Sequence, residues 1–186
     1  MRNKIDVFDT TLRDGAQTPF IGMDFWDRYI IAKALADTGV DVIEVGFAAN
    51  EVDFESMRRI AKYIGNRKYS RNKTVPVVCS LARVLEEDVK LAFEAIEPAD
   101  PDKRRIHVFI GTSEELMSYS HGKREEEILN LIEKNVGGAR GLGDVCATIN
   151  PWLSSSLYPW CSTRRWWPWP GWGPPTRTEL GSSRLS

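Results

Sequence analysis

The first 150 residues alternate between short apolar runs and longer segments in which apolar and polar positions follow a helical period. Four runs rich in β-branched and apolar residues have the composition of strands: Ile5–Thr11, Asp41–Ala48, Val75–Ala82 and Arg105–Thr112. These runs are almost continuously apolar, which is typical of parallel strands covered on both faces. A fifth run, Asp144–Asn150, has the same character, although no helical pattern follows it.

A segment of helical periodicity follows each of the first four runs: Asp24–Thr38, Glu51–Ile64, Glu86–Ile96 and Arg124–Val136. Asp24 is suited to cap the first helix, and glycines are placed to end three of the helices: Gly39, Gly65, and the pair Gly137 and Gly138. Strands recur every 30 to 36 residues. Alternation of this kind predicts βαβ units and a parallel sheet.

The length of the repeating unit fits either a doubly wound sheet or a (β/α)8 barrel. The connection that follows the first strand, Leu12 to Gly22, contains no G-x-G-x-x-G sequence. Its absence argues against a dinucleotide-binding fold. The pattern alone therefore predicts an α/β fold. It does not decide between an open, doubly wound sheet and a closed barrel.

Composition excludes several classes of protein. Apolar residues make up 42% of the 186 residues and charged residues 27%, as in soluble globular chains. No apolar run reaches the roughly 18 residues of a membrane span, and the N-terminus lacks a signal-peptide pattern. Three widely spaced cysteines, Cys79, Cys146 and Cys161, argue against a disulfide framework and favour a reducing, cytoplasmic setting.

The net charge of −1 conceals an uneven distribution. Residues 151–186 carry four arginines, one acid and six of the seven tryptophans, a balance of +3 against −4 in residues 1–150. Neither part has a motif for nucleic acid. The Trp/Pro-rich segment has no periodicity, and we interpret it as the product of a frame-shifted or mis-joined coding segment. The alternative is an aromatic membrane-surface segment or a proline-rich partner-binding segment.

Two carboxylates and an arginine near the ends of the first two strands are candidates for chemistry. Arg13 and Asp14 precede a turn at Gly15, which can bring both to the same edge of the sheet. A guanidinium there can clamp a carboxylate or a developing enolate oxygen, and a carboxylate can bind a hard cation. A surface ion pair is the simpler alternative. Glu44 lies inside an apolar strand, where a carboxylate needs a partner, and Arg13 is the expected one.

The two histidines lie in different settings. His107 falls within the fourth strand and is predicted to face inward, either as a core histidine or as part of a site. His121 lies in a polar loop, where we expect it to be solvated. Ser80 and Arg83 close the third strand and are placed to face the same edge, whereas Cys79 is predicted to be a small core residue.

One segment carries a specific resemblance, the sequence from Phe8 to Gln17, which reads F-D-T-T-L-R-D-G-A-Q. It resembles the signature of acyl-CoA condensing enzymes with a pyruvate carboxyltransferase-type barrel. That family includes 2-isopropylmalate, homocitrate and citramalate synthases, with hydroxymethylglutaryl-CoA lyase as a cousin. Further segments match in the expected order, and the second and third resemble 2-isopropylmalate synthase most: Ile43–Phe47, Val78–Arg83, Ile106–Ser113 and Asn135–Leu142.

The resemblance implies a (β/α)8 barrel that binds one divalent metal, Mg, Mn or Zn, and uses acetyl-CoA as a substrate. The implied reaction condenses acetyl-CoA with 2-oxoisovalerate in leucine biosynthesis, and the metal polarises the oxo acid. Asp14 is the implied metal ligand. Arg13 and Glu44 are the implied catalytic residues, and the residues implied to bind substrate are Arg13, Gln17, Glu44 and His107. The full-length family member is expected to be a cytoplasmic homodimer.

The sequence also departs from the family pattern, because it has no H-x-H pair to complete the metal site. We therefore expect a barrel truncated to its first four or five β/α units, with residues 1–143 as the N-terminal half and residues 144–186 as an irregular tail. Such a fragment is expected to be inactive. The alternatives are a homocitrate or citramalate synthase-like enzyme and a non-catalytic module that pairs with an intact synthase subunit.

Overall fold

The computed structural model describes residues 5–69, 73–113, 116–150 and 160–161. Within them lie six strands: β1 (Phe8–Asp9), β2 (Val42–Phe47), β3 (Val77–Arg83), β4 (Arg104–Gly111), β5 (Asp144–Asn150) and β6 (Trp160–Cys161). Four α-helices connect the first five strands: α1 (Phe25–Thr38), α2 (Glu51–Ile64), α3 (Glu86–Ile96) and α4 (Glu125–Arg140). The predicted alternation of strands and helices is confirmed.

The strands form one sheet in the order of the chain, β1-β2-β3-β4-β5-β6. The first five are parallel, and β6 pairs antiparallel with β5. Each parallel strand lies beside the strand that precedes it in sequence, as in a (β/α)8 barrel. Among the described residues β1 and β5 do not pair, so these strands form an open part of a barrel.

The hydrophobic core lies between the helices and one face of the sheet. Alternate residues of the strands enter it, including Ile43, Val78 and Ile106. The helices supply buried partners such as Met57 and Ile96. The opposite face, here called the inner face, carries buried polar and sulfur-containing side chains instead: Glu44, Cys79, Arg105, His107 and Cys146.

Local signals explain where the first helix begins and ends. The Asp24 side chain accepts a hydrogen bond from the Asp27 amide, and Asp27 returns one to the Asp24 amide, which together form a capping box. Gly39 closes the helix with φ of 94°, a left-handed conformation that favours glycine. The predicted cap and stop of α1 are both confirmed.

The predicted end of α4 at Val136 is wrong. The helix continues through Gly137 and Gly138 to Arg140. Ala139 is fully buried in the core, so packing outweighs the roughly 1 kcal/mol that each glycine costs in a helix.

The predicted first strand is too long, because only Phe8 and Asp9 pair with β2. Within residues 151–186 only the pair 160–161 is described. The rest of the predicted irregular tail lies outside the described residues and stays a prediction. In the part of the chain that the structure describes, no helix has both the length and the apolar character needed to cross a membrane.

The end of α2 provides a test of packing. A methyl group added at Gly65 would overlap the Cβ of Ala99 and lie 2.8 Å from the Ala61 carbonyl oxygen. We expect Gly65→Ala to lower the free energy of unfolding by about 1–3 kcal/mol, because neither neighbour is a flexible side-chain end. Urea denaturation measures the change.

Gly137→Ala is the matched control, because an added Cβ there meets no atom within 4 Å. It lies within α4 and should raise stability by up to about 1 kcal/mol. Equal effects of the two substitutions would contradict the proposed close approach of α2 to the Ala99 segment.

Candidate functional site

A tight turn after β1 sets the position of two candidate residues. The amides of Arg13 and Asp14 both donate to the Thr10 carbonyl, at 3.0 and 2.7 Å. A 3-10 turn follows at Gly15–Gln17, while the Leu12 side chain is fully buried beneath the turn. The turn therefore holds Arg13 and Asp14 at the carboxyl end of β1, as predicted from Gly15.

The Arg13 guanidinium bridges two carboxylates. Its Nε donates to Oε2 of Glu44 at 2.9 Å, and its Nη1 donates to Oδ1 of Asp14 at 2.8 Å. The Glu44 side chain is completely buried, whereas that of Asp14 is 43% exposed. The predicted Arg13–Glu44 pair is confirmed, and the guanidinium links a buried carboxylate to an accessible one.

His107 extends this line of hydrogen bonds from β2 to β4. Its Nδ1 lies 2.6 Å from Oε1 of Glu44, and its side chain is only 2% exposed. The Phe8 ring meets the imidazole edge to face, with centroids 5.8 Å apart. The inward orientation predicted for His107 is confirmed. We call Asp14, Arg13, Glu44 and His107 the Arg–Glu–His array.

The protonation of His107 is set by opposing effects. Burial disfavours the imidazolium, but the hydrogen bond to Glu44, together with the charges of Cys146 and Glu44, outweighs burial and raises the pKa of His107. The imidazolium is therefore stabilised, with Nδ1–H donating to Glu44. Its charge, together with that of Arg13, compensates the buried carboxylate.

A β-bulge follows Glu44. The pairing of β2 with β3 shifts register between Glu44 and Gly46, and Gly46 has φ of 152°. A Cβ at Gly46 would lie 3.1 Å from the Met57 sulfur. Glycine is thus required by both conformation and space, and the bulge turns the chain just after the buried carboxylate.

The other predicted site residues do not join the array in the described contacts. Gln17 is exposed on the 3-10 turn. Ser80 is buried and donates to the Leu81 carbonyl at 3.4 Å, and the exposed Arg83 side chain pairs with Asp88. The substrate contact predicted for Gln17 stays a prediction.

The prediction that His121 is solvated is wrong. It ends a π-helical turn at Leu116–His121, is half-buried and has its Nε2 3.0 Å from the Gly111 carbonyl oxygen. The turn folds back on the end of β4, where the Gly111 carbonyl is the hydrogen-bond partner of the imidazole.

The direct Glu44–His107 contact is the feature that sequence reasoning missed. The two residues are 63 positions apart and lie on strands that are not neighbours. In a (β/α)8 barrel, inward side chains of alternate strands share a layer. That rule, applied to β2 and β4, is the signal that points to the pair.

The described residues do not by themselves fit a catalytic divalent metal. Asp14 supplies one accessible carboxylate, but no group of three or more His, Cys, Asp or Glu side chains that could hold a metal occurs within the described residues. A hard cation takes six or more oxygen ligands, some of them water. The metal ligand role of Asp14 therefore stays a prediction that needs further donors.

Comparison with known proteins places this geometry in a family. Residues 4–156 match the HMGL-like family. The chain is 43% identical over 145 residues to 2-isopropylmalate synthase of Aquifex aeolicus, covering 77% of this chain and 26% of that protein. It is 42% identical over 142 residues to 2-isopropylmalate synthase 2, chloroplastic, of Arabidopsis thaliana, covering 76% of this chain and 22% of that one.

The fold is similar to that of the solved HMG-CoA lyase of Bacillus subtilis, with a TM-score of 0.58 at 17% identity. The alignment covers 78% of this chain and 46% of the lyase. The chain spans about a quarter of the length of the curated relatives that it matches. The sequence match, the sequential parallel strands and the turn that follows β1 together show that the chain belongs to the HMGL-like family.

Proposed function

We propose that this chain forms the oxo-acid-binding side of a 2-isopropylmalate synthase-like active site, which joins acetyl-CoA to 2-oxoisovalerate. The observation that carries the proposal is the Arg–Glu–His array, in which one guanidinium links buried Glu44 to accessible Asp14. Identity of about 42% to proteins named 2-isopropylmalate synthase supports the choice of reaction.

Arg13 is the residue that contacts the oxo acid in this proposal. Its Nε and Nη1 are used by Glu44 and Asp14, and its Nη2 has no acceptor among the described residues. A guanidinium has five N–H donors in a fixed plane. The remaining donors suit the oxygens of a 2-oxo acid, both in the ground state and as negative charge develops on the ketone oxygen.

Glu44 has a positioning role in this geometry. Both of its oxygens are engaged, Oε2 by Arg13 and Oε1 by His107. A carboxylate engaged in this way orients the guanidinium and is not free to remove a proton from acetyl-CoA. The array thus supports binding and polarisation of the oxo acid, while deprotonation of the acetyl group requires another base.

A divalent metal, when bound in the complete site, supplies Lewis-acid polarisation of the oxo acid carbonyl. Asp14 is the residue of this array that is exposed enough to reach such an ion. Homocitrate and citramalate synthase-like reactions are the second candidate, because the contacts of Arg13 with Glu44 and Asp14 do not by themselves select among 2-oxo acids.

Binding of the oxo acid is the first test. We expect the purified chain to bind 2-oxoisovalerate more tightly than pyruvate or 2-oxoglutarate, measured by calorimetry or saturation-transfer NMR. Arg13→Gln should weaken binding by roughly tenfold or more, since charge-assisted hydrogen bonds contribute about 1.5–3 kcal/mol.

Arg124→Gln is the matched control, because that side chain is 86% exposed and pairs with Glu127 on the surface. It should leave binding unchanged. Preference for pyruvate or 2-oxoglutarate would instead support the citramalate or homocitrate reaction, and equal loss in both variants would argue for nonspecific attraction.

Turnover is a separate prediction. We expect CoA release from acetyl-CoA and 2-oxoisovalerate to be absent or very weak with this chain, because Glu44 is engaged and the described residues form no metal site. A thiol-reactive dye detects released CoA, with added Mg²⁺ or Mn²⁺. Metal-dependent release of CoA that is abolished by Arg13→Gln would contradict this prediction. It would show that the chain catalyses the reaction without further segments.

The array also predicts how stability depends on pH. The pKa of His107 is raised in the folded state, so its stabilising contribution is complete below the unfolded-state pKa of about 6.5. The contribution is lost as pH rises through the folded-state pKa. Urea denaturation at a series of pH values, from about 6.5 upward, should therefore show a free energy of unfolding that falls as the pH rises.

His107→Gln should remove this part of the pH dependence. His121→Gln removes the histidine outside the array and should keep the wild-type profile. A wild-type slope that persists in His107→Gln would assign the pH dependence to another group.

A further inference from the structure

A pocket of about 480 Å³ lies on the helical side of the sheet, between the amino-terminal halves of α1 and α2. Sites for small molecules commonly have volumes of about 300–1,000 Å³. Three apolar side chains, Met23, Phe25 and Val52, form what we call the apolar wall of this pocket. None of the residues that line the pocket belongs to the Arg–Glu–His array, so the proposed function does not use it.

Ser56 lines this pocket and has a hydroxyl group without a partner. The residue is 8% exposed, and its buried Oγ makes no hydrogen bond among the described residues. A buried polar group that stays unpaired costs free energy. Because Ser56 lines the pocket, rotation about its Cα–Cβ bond can turn the oxygen toward a bound group. The hydroxyl therefore indicates a polar ligand group at this point of the pocket.

Two carboxylates of the pocket are also unpaired. Glu51 and Glu55 are exposed and one helical turn apart, and neither makes an ion pair within the part of the chain that the structure describes. Arg59 follows Glu55 by a further turn, but its guanidinium lies over the Phe25 ring, 3.7 Å from the centroid. That cation–π contact leaves Glu55 without the ion pair that the helical spacing allows.

The other charged groups of the pocket already have partners. Asp24 belongs to the capping box of α1, and Nη2 of Arg28 pairs with Oδ1 of Asp53 at 3.0 Å. Four carboxylates and two guanidinium groups line the pocket, so its lining carries a net charge of −2. A ligand with two positive charges complements that lining.

We propose that this pocket binds an aliphatic diamine in its diammonium form. One ammonium group pairs with Glu55 and donates to the hydroxyl of Ser56, which gives the buried oxygen its missing partner. The second ammonium group pairs with Glu51, one turn closer to the start of α2. The methylene groups between them lie on the apolar wall. The site is separate from the Arg–Glu–His array, so it does not rest on the proposed function.

A bare metal ion fits the pocket less well than an organic cation. A hard cation takes six or more oxygen ligands, some of them water. No group of three or more His, Cys, Asp or Glu side chains that could hold a metal occurs in the ranges that the structure describes. The volume of the pocket and its apolar wall instead suit a ligand with a carbon body.

Calorimetric titration of the chain at low ionic strength tests the proposal, because salt weakens contacts between exposed charges. We expect one putrescine to bind per chain, butylamine to bind more weakly, and butanol not to bind. Glu51→Gln and Glu55→Gln should each weaken putrescine binding by about two- to fivefold, the range expected for an exposed ion pair. Equal binding of butanol, or displacement of putrescine by an equal concentration of Mg²⁺, would overturn the proposal.

Glu125→Gln is the matched control. Glu125 is the exposed first residue of α4, as Glu51 is the exposed first residue of α2, but it does not line the pocket. The substitution should leave putrescine binding unchanged. The same loss in Glu125→Gln as in Glu51→Gln would show a general attraction of the acidic surface for cations and would contradict a specific site.

Ser56→Ala separates binding from stability. The substitution removes a buried hydroxyl without a partner, so it should raise the urea midpoint of the chain without ligand. It should also weaken putrescine binding, and binding as tight as in the wild type would contradict the role of the hydroxyl.

NMR of the wild-type chain locates the ligand without any substitution. Putrescine should shift the backbone amide signals of residues 23–28 and 51–59, which line the pocket. Shifts confined to other segments would place the diamine elsewhere and refute the site.

Discussion

The buried carboxylate of Glu44 is the constraint on which the inner face depends. A negative charge inside a strand is costly unless opposite charge and hydrogen bonds surround it. Arg13 supplies both from the turn after β1, and His107 supplies a further hydrogen bond from β4. One side chain thereby holds three segments of the chain together, and removal of either partner leaves the carboxylate poorly compensated.

The two faces of the sheet carry different kinds of side chain. The face against the helices is apolar, with Ile43, Val78 and Ile106 packed in the core. The inner face holds ionisable groups in little water, which strengthens their interactions. A site on this face is positioned by strands whose opposite sides are already fixed by the helices.

The sequence predicted the framework better than the contacts. Strand and helix order followed from apolar periodicity, and Asp24 and Gly39 marked the ends of α1 correctly because caps act locally. The end of α4 was missed because burial of Ala139 outweighs a local stop signal. The Arg13–Glu44 pair was predictable from charge compensation. The Glu44–His107 contact was missed, because finding it requires the inward side chains of alternate strands, here β2 and β4, to be placed in one layer of a barrel.

The order of the strands has a consequence for how the chain folds during synthesis. Each parallel strand pairs with the strand made just before it, so the sheet can grow by addition of successive units as the chain leaves the ribosome. The contacts of Glu44 are an exception to this pairing of neighbouring strands, because its second hydrogen-bond partner, His107, is 63 residues further along the chain. Until β4 is made, the nascent sheet holds a carboxylate compensated by Arg13 alone, so arrival of His107 completes its burial.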